Sequence, residues 1–418
     1  MQCDYCYEEP LREAGNFSTG YDMELMKRGL EKENWHFSLF GGEPLLMPFA
    51  DLEEIFRWGL EKFQSNGIQT NGTLITEDHI QLFIKYNVGV GISMDGPDVL
   101  NDSRWMGSLE KTRAATEQSM WAVRRLCEVG RAPSMIFTLY QGNATRDRLP
   151  RLLNWLQELE SLGVKHMRVH LLEIESPTVR SKMALTDNEN VAALMELYEL
   201  QKRSASLRFD LFDDMRKLLM GTDQQGTSCI WNACDSYTTR AVRGIDGLGN
   251  NVNCGRTNKE GVDWGKANTE GFERQLALHQ TPQSKGGCSG CRFFFACKGQ
   301  CPGTAIDGDW RNRSEQCQIW FRMFQHLERE LIQEGQKPIS RSSTLPKVEA
   351  AFIASWEKGI NMSVSQAVAV SNGSPAPSSH CQDHGDHWDA PDGYAHDDGI
   401  LTVHGDAGMT QMHQDSDR

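Results

Sequence analysis

The sequence predicts an α/β protein followed by a small cysteine-rich α+β domain, and three observations carry that prediction. Short apolar runs alternate with helical patterns between positions 36 and 172. Eight cysteines fall between Cys229 and Cys317, after a separate pair at Cys3 and Cys6. From about position 371 the chain is rich in Ser, Pro, Gly, Asp and His, which predicts a disordered tail.

Strands and helices of the first region follow one another in strict order. Strands are predicted at 36–40, 67–70, 88–94, 134–140 and 166–172. Between them, apolar residues spaced by three and four predict helices at 51–64, 77–86, 109–128 and 148–162. This alternation is typical of parallel strands joined by crossover helices. Both an open sheet and a partial barrel satisfy it.

Beyond the last strand the predicted elements are helical. Their positions are 188–202, 212–220, 314–334 and 348–356. We therefore divide the chain into a strand–helix domain at 1–215, a cysteine-rich domain at 216–335, and a C-terminal extension at 336–418 that is rich in His and Asp.

Bulk properties exclude several classes of protein. A net charge of -14 argues against non-specific nucleic-acid binding, which needs clustered Lys and Arg. No apolar run reaches the roughly 18 residues of a membrane span, and no signal peptide is readable. We expect a cytoplasmic protein with reduced thiols, whose cysteines hold metal centres in preference to disulfides.

The downstream cysteines have the spacing of metal ligands. They read Cys229-x4-Cys234-x14-Gly249-x4-Cys254, then Cys288-x2-Cys291-x5-Cys297-x3-Cys301, and finally Cys317. Eight thiolates suffice for two four-thiolate clusters, and a Cys-x2-Cys pair binds one centre from a tight turn. Zinc ribbons remain an alternative that uses the same pair.

From Cys234 onward this pattern resembles the seven-cysteine signature of SPASM domains, and the region before it resembles the radical SAM fold. The resemblance implies a partial (β/α)6 radical SAM barrel whose first strand is missing from this chain. It also implies two auxiliary [4Fe-4S] clusters. Cluster I would use Cys229, Cys234, Cys254 and Cys301, and cluster II would use Cys288, Cys291, Cys297 and Cys317.

A third [4Fe-4S] cluster, which binds S-adenosyl-L-methionine (SAM), is implied near the beginning of the chain. Radical SAM enzymes hold it with Cys-x3-Cys-x2-Cys and an aromatic residue before the last Cys. Cys3, Tyr5 and Cys6 match the second half of this motif. The first Cys would lie two residues before Met1, so we expect that the sequence is truncated at its start and that the cluster lacks this ligand.

Other motifs match family segments that contact SAM. Gly41-Gly42-Glu43-Pro44 follows the first predicted strand, where exposed carbonyls and a carboxylate suit the amino group of SAM. Gln69 ends the next predicted strand, and Ser93 is a candidate for contact with the ribose. Arg104 is a candidate for the SAM carboxylate, and a solvated surface arginine is an equal alternative.

The chemistry that the resemblance implies is radical oxidation of a peptide. A reductant such as flavodoxin or ferredoxin supplies an electron, SAM yields a 5′-deoxyadenosyl radical, and this radical removes a hydrogen atom from a ribosomal precursor peptide. The auxiliary clusters accept the electron left behind, and crosslinking or another modification follows. No catalytic residue is assigned.

Two alternative functions stay open. Anaerobic sulfatase-maturating enzymes share the eight cysteines, but they place an Asp base after the Cys that corresponds to Cys254, where this chain has Gly255 and Arg256. A non-catalytic metal-binding scaffold is the other alternative. His166, His170 and Glu173 lie on or just after the last predicted strand and could face the cavity, but we interpret them as core or rim residues.

Overall fold

The computed structural model describes residues 1–6, 20–236, 238–239, 244–252, 254–257 and 271–377, together with the backbone of 401–404. Eleven strands lie in these ranges. They are β1 (Gln2–Cys3), β2 (Phe37–Phe40), β3 (Asn66–Thr70), β4 (Val88–Ser93), β5 (Arg104–Trp105), β6 (Ser134–Leu139), β7 (His166–Leu171), β8 (Arg208–Phe209), β9 (Gly244–Asp246), β10 (Asn251–Val252) and β11 (Leu401–His404).

Six parallel strands form the centre of the main sheet, in the order β2-β3-β4-β6-β7-β8. This arrangement confirms the predicted α/β class and the predicted parallel strands of the first domain. The five predicted strands correspond to β2, β3, β4, β6 and β7, with ends that differ by one residue. Sequence analysis missed β8, because two residues are too few to produce an alternating pattern.

The described helices are α1 (Met23–Glu33), α2 (Phe49–Phe63), α3 (Glu77–Lys85), α4 (Leu109–Glu128), α5 (Leu149–Leu162), α6 (Pro177–Met183), α7 (Asp187–Arg203), α8 (Asp210–Met220), α9 (Glu273–Gln280), α10 (Phe294–Cys297), α11 (Cys317–Gln333), α12 (Leu345–Trp356) and α13 (Val364–Ser371). Local sequence sets several of their starts. Thr76 and Thr186 form capping boxes at α3 and α7, which satisfy the first free amide groups of each helix.

The cysteine-rich region packs against the barrel through α11. This helix confirms the one predicted at 314–334, and one of its faces is buried, as in an amphipathic helix. Trp231 meets Trp320 and Phe324 of that face, with ring centroids 5.5 and 5.2 Å apart. The predicted boundary between the first two domains falls inside α8, so a continuous helix connects them.

The C-terminal extension contains more structure than the sequence predicts. One helix is expected at 348–356, and α12 and α13 are observed. The Trp356 ring stacks on Phe272 at 6.3 Å. Asp223 accepts hydrogen bonds from Val364 and Ser365 at the start of α13, so the extension is fastened to the cysteine-rich region.

The tail also departs from the prediction of disorder from about 371. Its segment β11 pairs in parallel with both β2 and β9 and lies between them in the sheet. Residues 378–400 and 405–418, with most of the tail histidines, lie outside the described residues. Among the helices that the structure describes, none has both the length and the apolar character needed to cross a bilayer.

Candidate active site and cysteine clusters

The loop of Cys3 and Cys6 is attached to the main domain by backbone hydrogen bonds. Strand β1 pairs with β5, which places Cys3 opposite Arg104. The amide of Asp4 donates to the carbonyl of Ser103 at 2.9 Å, and the amide of Cys6 donates to the carbonyl of Cys3 at 3.2 Å. The second bond closes a turn, which puts both thiols on one short loop.

A buried carboxylate, Asp95, anchors this loop to the end of β4. Its oxygens accept from Nε and Nη2 of Arg104 at 2.9 and 3.1 Å, and from the amide of Thr138 at 2.9 Å. The Tyr5 hydroxyl also donates to Asp95. Burial raises the pKa of Tyr5 well above its ordinary value, so the phenol keeps its proton and remains a donor.

The Gly41–Glu43 segment turns directly after β2. Gly41 has a φ of 129°, a conformation that favours glycine. Glu43 is buried, and it accepts from Thr70 at 2.6 Å and from the amides of Leu45 and Asn71 at 3.1 and 3.0 Å. Burial raises the pKa of Glu43, although these hydrogen bonds favour its charged form. The segment is thereby joined to the end of β3.

The next two predicted contact residues touch each other. Gln69 of β3 donates from Nε2 to the Ser93 hydroxyl of β4 at 2.8 Å. Gly91 permits this contact, since a Cβ at position 91 would come within 2.1 Å of Gln69 Oε1. The predicted SAM-contact residues therefore follow one edge of the sheet, at the carboxyl ends of β2, β3 and β4, where parallel α/β folds bind ligands.

The structure brings three of the cysteines predicted for cluster I to one place. We call Cys229, Cys234, Cys254 and Cys301 set I. Burial raises the pKa of the Cys301 thiol, and the nearby Cys254 and Cys234 raise it further. Cys229 begins a short turn, in which the amide of Asn232 donates to its carbonyl at 3.1 Å.

The four cysteines predicted for cluster II also lie together, and we call Cys288, Cys291, Cys297 and Cys317 set II. The pKa of Cys297 is raised well above its ordinary value by burial and then by the other three thiols. The amide of Cys291 donates to the carbonyl of Cys288 at 3.0 Å, which closes the Cys-x2-Cys turn. Helix α10 ends at Cys297, and α11 begins at Cys317.

Within the described residues, neither set brings three thiols as close together as a single zinc ion holds its ligands. Four thiolates at about 2.3 Å from one zinc ion would lie within about 4 Å of each other. Among the described residues, only Glu199, His326 and Glu330 place three ligand atoms within 4.8 Å. There Lys202 donates to both carboxylates.

Arg256, close behind Cys254, connects set I to the barrel. Its Nε lies 2.7 Å from Oε1 of Glu173, and its Nη2 lies 3.0 Å from Nδ1 of His170. Burial, followed by the charges of Arg256, Arg168 and Arg104, holds the pKa of His170 well below its ordinary value. His170 is therefore neutral at pH 7, and it responds to charges from both the Cys3 loop and the set I side.

Sequence analysis identified most of these positions but not their relationships. His170 and Glu173 were interpreted as core or rim residues, and where the barrel meets set I Glu173 is buried and His170 is partly buried. Arg104 was a candidate for the SAM carboxylate, with a solvated surface arginine as an equal alternative. It is buried, and its Nε and Nη2 contact Asp95. Asp95 lies two residues after Ser93, and no sequence signal indicated its role as an anchor.

Comparison with known proteins finds a family match for the first part of the chain. Residues 1–156 match the Radical SAM superfamily. The chain is 22% identical to a cysteine-type anaerobic sulfatase-maturating enzyme of Clostridium novyi, over 56% of this chain and 65% of that protein. It is 27% identical to an AdoMet-dependent heme synthase of Nitratidesulfovibrio vulgaris, over 41% of this chain and 45% of that protein. The chain thus spans under two thirds of these relatives.

Among solved structures, native anSMEcpe with bound AdoMet and Cp18Cys peptide is similar over 80% of this chain and 94% of that chain. The TM-score is 0.63 at 16% sequence identity. The likeness establishes the fold, which extends beyond the barrel into the cysteine-rich region.

Proposed function

We propose that this chain, whose residues 1–156 form a radical SAM domain, is an oxidoreductase that modifies a peptide or protein by radical chemistry. The contact between Arg256 and His170 carries the proposal. This contact joins Arg256, two positions after Cys254, to His170 near the carboxyl end of β7. Glu43, Gln69 and Ser93 lie at the same edge of the sheet. In this proposal, SAM cleavage and removal of the electron both take place at the carboxyl edge of the parallel sheet.

The residues of the chain have separate tasks in this proposal. Cys3 and Cys6 supply thiolates to the cluster that cleaves SAM, and Glu43 with its neighbours receives the cofactor. Sets I and II hold two further clusters. SAM bound at such a cluster supplies a 5′-deoxyadenosyl radical, which removes an unactivated hydrogen atom. The protein orients the substrate carbon and excludes water.

The substrate class rests on the relatives. One solved structure of the same fold holds a peptide together with AdoMet, and the Clostridium novyi relative is named for maturation of a sulfatase. We infer that the substrate of this chain is likewise a polypeptide. We favour a ribosomal precursor peptide, crosslinked or otherwise oxidised, because an arginine stands close to Cys254 where sulfatase maturation would need an acidic base.

Formylglycine formation is the second candidate, and one contact favours it. Glu173 brings a carboxylate to the set I side of the sheet edge, where Arg256 holds it at 2.7 Å. The charge of Glu173 reaches Cys301, whose pKa it helps to raise. A carboxylate from the barrel could therefore accept the proton that an Asp after Cys254 would otherwise take.

The test uses a chain to which the first Cys of Cys-x3-Cys-x2-Cys has been added, two residues before Met1. This protein is reconstituted anaerobically with iron and sulfide. We expect a brown protein that forms 5′-deoxyadenosine from SAM when reduced. The chain beginning at Met1 is the matched control, and we expect it to cleave SAM more slowly. A colourless extended protein with stoichiometric zinc, or one that leaves SAM intact, would refute the proposal.

Product analysis separates the two candidate functions. Peptides with a sulfatase-type Cys or Ser should remain unchanged, whereas a precursor peptide encoded beside the gene should lose hydrogen without gaining an aldehyde. Mass spectrometry with a carbonyl-reactive probe distinguishes the outcomes. An aldehyde on the sulfatase-type peptide would establish formylglycine formation in place of crosslinking.

A further inference from the structure

Arg274 is a buried cation whose nearest partners carry no charge. It lies in the first turn of α9 and is 1% exposed. All of its hydrogen bonds go to backbone carbonyls. Nε donates to Trp310 at 2.6 Å, Nη1 donates to Cys234 and Gln300 at 3.2 and 3.0 Å, and Nη2 donates to Gly299 and Asn312 at 3.4 and 2.9 Å.

Five carbonyls satisfy the donors of the guanidinium, but they do not neutralise it. Arginine keeps its charge in proteins, and a buried unpaired ion costs several kcal/mol. Within the described residues, no carboxylate forms an ion pair with Arg274 at 4 Å or less. Burial lowers the pKa of Arg274, whereas the sulfurs of Cys234, Cys301 and Cys288, and more weakly Asp235, raise it. Cysteines of both sets therefore supply the compensating charge when they ligate a metal centre as thiolates.

The contacts of Arg274 reach the backbone of both sets. Cys234 belongs to set I, and its carbonyl accepts directly from the guanidinium. Gly299 and Gln300 belong to the three-residue link between Cys297 of set II and Cys301 of set I. At the other end of α9, the carbonyl of Leu278 accepts from the amide of Cys288 at 2.7 Å. One short helix thus connects the two groups of ligands.

We propose that Arg274 is the shared counter-charge of the two auxiliary clusters and raises the reduction potential of both. This inference rests on the proposed function, since it assumes that the two sets hold iron–sulfur clusters. A cluster bound by four thiolates is an anion, and it gains a further negative charge when it is reduced. A fixed positive charge nearby stabilises the reduced form. The electron from the substrate then passes more readily into the clusters.

The test is a redox titration of the auxiliary clusters followed by electron paramagnetic resonance. Cys3 and Cys6 are replaced by Ala in every sample, so that only sets I and II contribute signals. We expect Arg274→Gln to lower the midpoint potentials of both clusters. Arg274→Lys keeps the charge and should retain most of the original potential.

Gln275 provides a matched control on the same helix. It is fully buried, and its Nε2 donates to the same Cys234 carbonyl at 2.9 Å without carrying a charge. Gln275→Leu should leave the set II potential unchanged and should shift that of set I by less than Arg274→Gln does. Equal shifts in the two variants would show that a lost hydrogen bond, and not the charge, is responsible.

Iron content separates failure of this inference from failure of the proposed function. Full iron content with unchanged potentials in Arg274→Gln overturns the role of Arg274 alone. Absence of cluster iron from the protein with an unsubstituted Arg274 overturns the proposed function as well. If Arg274→Gln loads little iron, recovery in Arg274→Lys supports the charge, and equal loss in both variants contradicts it.

Discussion

The carbonyl oxygen of Arg256 lies against Gly303, so closely that a Cβ at position 303 would come within 2.3 Å of it. Gly303 follows Cys301 by two positions. The turn after Cys254 is therefore packed directly on the turn after Cys301. This contact holds the backbone of Arg256 in place, and from there its side chain reaches Glu173 in the barrel.

The ion pair between Arg256 and Glu173 leads to a prediction about turnover. Glu173→Gln removes the negative charge with little change in shape. For formylglycine formation, in which Glu173 would accept a proton, we expect substrate oxidation to fall by about 10²-fold or more, while iron content and reductive SAM cleavage stay close to their original values. The measurement compares peptide product with 5′-deoxyadenosine in a single anaerobic assay.

The control for this experiment is another ion pair that connects the same two regions. Arg180 and Glu315 lie 2.7 Å apart, but the Arg180 side chain is 58% exposed. Arg180→Gln should leave both products unchanged, because exposed pairs contribute little. A normal yield of modified peptide from Glu173→Gln would remove Glu173 from the chemistry.

Asp95 supports a prediction about stability. It is fully buried, and its carboxylate holds Arg104, Tyr5 and the amide of Thr138. Asp95→Asn leaves the guanidinium of Arg104 in a buried site without its counter-ion. We expect a loss of about 3–5 kcal/mol in the free energy of unfolding, measured by urea denaturation.

A neighbouring exposed pair calibrates that measurement. Arg113 lies 3.1 Å from Asp102, and the Arg113 side chain is 50% exposed. Asp102→Asn should cost under about 1 kcal/mol. If the two variants unfold at the same urea concentration, Asp95 is not the anchor of the Cys3 loop.

The elements that carry the motifs were predictable because their signals are local. Strands β2, β3 and β4 are short apolar runs, and Gly41, Glu43, Gln69 and Ser93 stand at or near their ends. Cysteine spacing predicted metal ligands for a similar reason, since ligand spacing is itself a sequence pattern, and the division into two sets is what the resemblance to SPASM domains implies. The fold and the ligand candidates therefore followed from patterns within short windows.

The relationships across long distances in the chain were not predictable. The contact of Arg256 with Glu173 depends on how the cysteine-rich region docks onto the barrel. Arg274 stands in a polar stretch, Glu273-Arg274-Gln275, that is typical of a surface helix. Its burial depends on carbonyls of loops around Cys234, Gln300 and Asn312. Nothing in the local composition encodes that ring of acceptors.

The pH dependence of stability should reveal His36, which precedes β2. Burial lowers its pKa to about 4 from an ordinary value of 6.5. Between these values the unfolded chain binds a proton that the folded protein does not, so stability falls as the pH falls. At pH 5 the loss due to His36 is about 2 kcal/mol relative to pH 7.5.

The substitution His36→Gln isolates this contribution from other titrating groups. The difference in unfolding free energy between the two proteins is measured at pH 7.5 and at pH 5. We expect it to change in favour of the variant at the lower pH. A difference that is constant between the two values would mean that His36 titrates normally in the folded protein.

Iron content tests the division of the cysteines into two sets. Cys254→Ala and Cys297→Ala each remove one ligand from a different set, so each should lose about four iron atoms per chain and keep the other cluster.

Cys127, on α4, is the control. Burial raises its pKa to about 11, and it belongs to neither set. Cys127→Ala should keep all of its iron. If Cys254→Ala and Cys297→Ala both retain full iron, or if Cys127→Ala loses a cluster, the assignment of ligands is wrong. Colorimetric iron and sulfide determination on anaerobically purified protein decides between these outcomes.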